Sequence, residues 1–150
     1  MIKKYEHILL PLDGSALAEV AMLDAESIAK FYNAEITLLR VLPPINDIIK
    51  VDNHLVFYID EQMENRKIRS SEYLNSISDK LKKESITSHT VVEVGHPEEI
   101  IVDYTSKNSI DIIVMATHGR TGMKRWVYGS VADKVLKSAS VPILLCRSYT

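Results

Sequence analysis

The segment from Asp111 to Val131, within IDIIVMATHGRTGMKRWVYGSVADKVL, concentrates the residues best suited to hold an anion. It carries Gly119, Gly122 and Gly129, the cations Arg120 and Lys124 beside the first two glycines, and Ser130 at the start of a helical pattern. Glycine lets backbone approach a ligand closely, and the amides of a helix's first turn, reinforced by its dipole, favour a phosphate. A second polar turn, Asp13-Gly14, closes the apolar run HILLPL. Its carboxylate can accept hydrogen bonds from ribose hydroxyls or help hold a metal ion.

Bond-breaking chemistry has less support. Ser15 lacks the GxSxG setting of a nucleophile elbow. The five histidines, His7, His54, His89, His96 and His118, show no metal-ligand spacing, and HExxH and paired-cysteine elements are absent. Neither GxxxxGK[ST] nor GxGxxG occurs, which argues against a P-loop ATPase and a dinucleotide enzyme. Of the histidines, His118 alone lies in the glycine loop, where it joins Arg120 and Lys124 as a candidate phosphate contact.

The elements that must position these residues alternate in type. HILLPL, His7 to Leu12, is a short run without alternation, as a strand covered on both faces requires. From Ser15, a plausible N-cap by residue type, one helix is expected over SALAEVAMLDAESIAKFY, with Leu17, Ala21, Ile28 and Phe31 among its apolar positions. Glu35 to Leu42 is a second strand, ended by Pro43-Pro44. A long helix with an intermittent stripe (Leu55, Ile59, Met63, Leu74, Ile77, Leu81) ends near Glu84. Thr87 to Val94 alternates as an edge strand does, and Pro97, Glu98 and Glu99 suit the start of a helix that stops before Asn108. IDIIVMAT is the fourth strand. A last helix, Ser130 to Ala139, faces Val131, Val135 and Leu136 inward, with Ser130 as its N-cap, and ILLCR is the fifth strand.

With 150 residues, 46% of them hydrophobic, the chain suits one domain, here 1–150. The β-α alternation predicts a single-domain, doubly wound, five-stranded parallel sheet of order 3-2-1-4-5 with helices on both faces. Ligands of such sheets bind beyond the carboxyl ends of the strands, where the winding reverses. That places Asp13 beside the Met115 to Gly129 loop, with the end of strand two near Val41 as a side wall. A formal charge of −2 recommends neither nucleic acid nor an anionic membrane as partner. No run approaches a membrane span or a signal peptide, so a cytoplasmic protein is expected. The lone Cys146, inside VPILLCR, reads as a small buried hydrophobe.

At these residues the chain resembles the universal stress protein family, UspA-like domains, over essentially its whole length. In the nucleotide-binding branch of that family the phosphate loop reads Gly, two residues, Gly, nine residues, Gly, then Ser or Thr. Gly119, Gly129 and Ser130 match, and Ala116 stands at the first glycine position. The resemblance implies a Rossmann-like fold of the adenine nucleotide alpha hydrolase type that binds ATP, or AMP or ADP, with Mg2+ held near Asp13 through the nucleotide. It implies that Pro11 and Asp13 border the adenosine, that Val41 contacts adenine through its backbone, and that Met115 and Ala116 line the pocket. Gly119, Gly129, Ser130 and Val131 would hold the phosphates. It also implies a homodimer built by pairing the last strands, Pro142 to Arg147.

Duller roles compete with each assignment. Asp13 suits a turn or cap, Arg120 and Lys124 suit a solvated loop, and Trp126 and Tyr128 suit loop anchors. The expected function is that of an ATP-binding, cytoplasmic, homodimeric regulatory module in which occupancy orders the Ala116 to Tyr128 loop for a protein partner. The alternatives are a slow ATP hydrolase, for which no water-activating base stands out, and a ligand-free dimeric scaffold.

Overall fold

The computed structural model describes residues 1–45, 53–118 and 129–147, the side chains of 53–60 aside. Five parallel strands, β1 (His7–Pro11), β2 (Glu35–Leu42), β3 (Ser88–Val94), β4 (Ile112–Ala116) and β5 (Ile143–Cys146), lie in the expected order β3-β2-β1-β4-β5. β3 is an edge strand, as its alternation indicates. β1 pairs with β2 on one side and β4 on the other, Ile8 meeting Ile36 and Ile112. Asp111 fastens the second pairing, since its Oδ2 accepts from the backbone N–H groups of Glu6 and His7 at 2.8 and 2.9 Å.

Two apolar layers sandwich this sheet. On one face Ile8, Leu10, Ile36 and Leu38 pack against α1 (Ala16–Glu19), α2 (Met22–Tyr32) and α3 (Asn53–Lys83). On the other, Leu9, Leu39, Ile113 and Met115 meet α4 (Pro97–Lys107) and α5 (Ser130–Ser138). The long helix is continuous through its polar middle and is anchored by Leu74, Ile77 and Leu81.

Four details differ from the sequence expectation. The first helix is two: Val20 and Ala21 donate to Leu17 and Ala18, an i to i−3 pattern that tightens the chain before Ala25 donates to Ala21. Phe31 is 80% exposed, because Ala21, Ala25 and Ala29 form the buried face of α2 and draw its backbone close to the sheet. Leu136 is 46% exposed, the inward positions of α5 being Ala132 and Val135. Ser130 is the first residue of α5 rather than its cap; Gly129 holds that place without a side-chain cap.

Leu74 is fully buried between α3 and the sheet. Leu74→Ala is expected to cost roughly 2–5 kcal/mol through lost transfer energy and a residual cavity. Urea denaturation should show a lower midpoint with an unchanged slope.

Candidate functional site

The strand after which the winding reverses is β1, and its turn is built locally. Gly14 has φ 84, a left-handed conformation that glycine adopts without a Cβ penalty. Asp13 Oδ1 accepts from the Ser15 N–H at 2.9 Å and from the Ser15 hydroxyl, whose oxygen accepts in turn from the Ala18 N–H at 3.1 Å. Asp13 is therefore fixed by the cap of α1, the turn role that its type suits.

Opposite it, β4 is followed by Thr117 and His118, whose Oγ1 and Nδ1 lie 3.0 Å apart. The Gly129 N–H donates to the Thr117 carbonyl at 2.8 Å, which brings the start of α5 against the end of β4. A Cβ on Gly129 would lie 3.1 Å from that same carbonyl, so any larger residue would have to push it back by a few tenths of an ångström. The ladder of α5 begins with Asp133 donating to Gly129 at 2.9 Å, leaving the amides of Ser130, Val131 and Ala132 without an acceptor inside the helix. Gly129 therefore contributes position, its own amide being spent on Thr117.

These elements enclose a cavity of about 260 Å³. Pro11, Asp13, Val41, Met115, Ala116, His118, Gly129, Ser130 and Val131 all line it, so residues far apart in the chain meet as the topology requires. Gly119, Arg120 and Lys124 lie outside the described residues, as does most of the Ala116 to Tyr128 loop. Leu39, Val41, Ile101 and Met115 supply apolar lining, and the α5 start supplies amides and the positive end of a helix dipole. An apolar slot with one carboxylate and one anion-attracting end suits a ligand with an apolar ring, hydroxyls and phosphate.

The model of the universal stress protein family matches residues 4–147. The chain belongs to that family. It is 29% identical to universal stress protein MJ0531 of Methanocaldococcus jannaschii, over 95% of this chain and 82% of that protein. It is 27% identical to universal stress protein MJ0577 of the same organism, over 95% of each chain. The solved structure of MJ0577 superposes with a TM-score of 0.87 over 99% of both chains. At 19 and 20% identity the likeness extends to the fold alone for two further structures. One is a universal stress protein in complex with cAMP (TM-score 0.67, 97% of this chain and 98% of that one). The other is a universal stress protein of Archaeoglobus fulgidus in complex with dAMP (TM-score 0.64, 97% and 99%).

Among the cavity residues missing from the sequence-derived candidates is Arg40. It is only 8% exposed, and its signal in the sequence is a lone charge inside the apolar strand EITLLRVL. Behind it the Tyr73 hydroxyl donates to Glu19 Oε1 at 2.9 Å. Burial first, then that bond, holds the phenol protonated well above its usual range; Asp13 adds to the effect and Arg40 opposes it. Four polar groups thus share one electrostatic neighbourhood beside the cavity.

Away from the cavity, His7 and His89 place Nε2 atoms 3.6 and 2.9 Å from Glu35 Oε2, and the His89 bond leads in lowering that carboxyl's pKa. Among the described residues, no group of three His, Cys, Asp or Glu is arranged to hold a metal ion. Cys146 is buried, and its thiol is pushed up to about 12 by burial and by Asp24, so it stays protonated as an inert core residue would.

The start of α5 is tied to α4 by Lys134 Nζ and Glu98 Oε1, 2.7 Å apart. Their hydrogen bond is the first cause both of the lowered Glu98 pKa and of the raised Lys134 pKa. The stabilisation is complete at neutral pH. It fades on the acid side as pH falls through the depressed folded value of Glu98, and on the alkaline side as pH rises through the raised value of Lys134. Lys134→Met should lower the denaturation midpoint slightly at pH 7. The gap between variant and wild type should close below the carboxylate range; a gap that persists there would assign the effect to packing.

Proposed function

We propose that this chain is an adenine nucleotide-binding regulatory module, with ATP as the leading ligand, acting as a cytoplasmic homodimer whose nucleotide occupancy alters the surface offered to a protein partner. The observation that carries the reading is the convergence of Asp13, the apolar ends of β2 and β4, and the uncapped start of α5 on one cavity. Met115, Val41 and Ile101 suit the base, Asp13 the ribose hydroxyls, and the amides of Ser130 and Val131 the phosphates. Gly119, Arg120 and Lys124 complete the phosphate end in this proposal. The family relatives that hold cAMP and dAMP support the ligand class. Asp13 is the acidic residue lining the cavity among those described, so a magnesium ion carried by the nucleotide would find its protein ligand there. Its contribution would be neutralisation of phosphate charge.

Dimerisation is proposed through β5. It is an edge strand with Leu144 38% exposed and Ile143 and Leu145 half-buried, and an unpaired apolar edge invites a second strand. No described helix is long and apolar enough to cross a membrane, which accords with the proposed location.

Isothermal titration calorimetry with ATP and magnesium tests the site. Asp13→Ala should weaken binding about 10- to 100-fold through loss of charge-assisted hydrogen bonds. Gly129→Val should abolish it by displacing the α5 start, with circular dichroism unchanged in both; wild-type affinity in the two variants would sink the reading. Sedimentation should give a dimeric mass that Leu144→Lys converts to a monomeric one.

A further inference from the structure

The turn that carries Asp13 rests on long local bonds. α1 is a single turn of helix: the Glu19 N–H donates to the Ser15 carbonyl at 3.3 Å, and the N–H groups of Val20 and Ala21 donate within the same turn at 3.4 Å. Those lengths lie beyond the usual range, and one helical turn is unstable alone because nucleation is costly. Contacts from outside must therefore fix it. Ala18 supplies buried packing, and the Glu19 carboxylate supplies a bond, accepting from the Tyr73 hydroxyl at 2.9 Å.

Tyr73 is a firm anchor because of its place on α3. The adjacent Leu74 is fully buried, and the Tyr73 ring packs against the same core, so the hydroxyl is presented from a fixed backbone. Ser15 joins this anchor to the cavity. Its carbonyl receives the Glu19 N–H, and its own N–H and hydroxyl donate to Oδ1 of Asp13, which lines the cavity. Arg40 lies on the face of β2 that Ile36 and Leu38 share, the face covered by α1 to α3, and belongs to the same polar neighbourhood. Removing the Tyr73 hydroxyl alone leaves every charge of that neighbourhood in place.

We propose that Tyr73 is a positioning residue for the nucleotide site: through Glu19 and Ser15 its hydroxyl sets the orientation of the Asp13 carboxylate, so that recognition of the ribose hydroxyls at the end of β1 depends on α3. This inference rests on the nucleotide reading above.

The test compares ATP with 2′,3′-dideoxy-ATP, which keeps the base and the phosphates and lacks both ribose hydroxyls. Wild-type protein should bind ATP more tightly. In Tyr73→Phe, which keeps the ring and deletes one oxygen, ATP affinity should fall about 5- to 10-fold, as loss of one hydrogen bond predicts, with affinity for the dideoxy analogue unchanged. In an Asp13→Ala background the same substitution should cost nothing more, since both act through one carboxylate. Coupling is reciprocal, so in wild-type protein the NMR signal of the Tyr73 Cζ should shift with ATP and stay in place with the analogue. That measurement decides the matter if the phenylalanine variant does not fold. Equal losses for the two nucleotides, undiminished ATP binding in Tyr73→Phe, an additive loss in the double variant, or a Tyr73 signal indifferent to ATP would overturn the proposal. Wild-type protein that binds neither nucleotide, or both equally, would instead remove the reading on which it rests, and the proposal with it.

Discussion

The parallel pairing of β1 with β4 is the constraint on which the rest of the molecule depends. β1 is flanked by parallel neighbours on both sides, so none of its pairings is a hairpin and each connection must cross a face of the sheet. The chain runs outward from β1 through β2 to β3 with α1 to α3 on one face. It then returns through α4 to β4 and through α5 to β5 on the other. At the carboxyl ends of β1 and β4 the two connections therefore leave in opposite directions, and the space between them becomes the cavity. Ile8, Leu9 and Leu10, with no exposed surface, are buried on both sides as a direct result.

Small local devices convert that space into a chemically defined one. Asp13 is oriented by Ser15, which also caps α1, so the carboxylate is fixed by the start of the first crossover. The Gly129 amide is spent on the Thr117 carbonyl, and that bond sets the distance between β4 and α5. The consequence for binding lies one residue further on: the open amides are those of Ser130, Val131 and Ala132. The lysine–glutamate pair between α5 and α4 steadies the same helix start.

Much of this was legible in the sequence because the signals were strong and local. Apolar runs without alternation marked the buried strands, and Pro97 with Glu98 and Glu99 marked a helix start. The misses share a physical origin. Phe31 and Leu136 fit a helical stripe by type, yet which arc of a helix faces the sheet depends on how closely its backbone approaches, and the alanines of α2 and Ala132 of α5 decided that. The break at Val20 and Ala21 contains no proline or glycine, so nothing in composition announces it. Arg40 was passed over because a single charge in a strand is ambiguous until its neighbours are known.

The sequence by itself determined the order of elements, the two-sided burial of the sheet and the residue types at the two turns, since periodicity and turn chemistry act over a few residues. Tertiary structure alone decided which of those residues share a cavity. Convergence of Asp13, Arg40 and Ser130 depends on strand order and crossover hand, properties of the whole sheet. It also decided what each group has left to offer a ligand. That the Gly129 amide is already bonded and that Arg40 lines the cavity follow from contacts between residues distant in sequence, which no local pattern encodes.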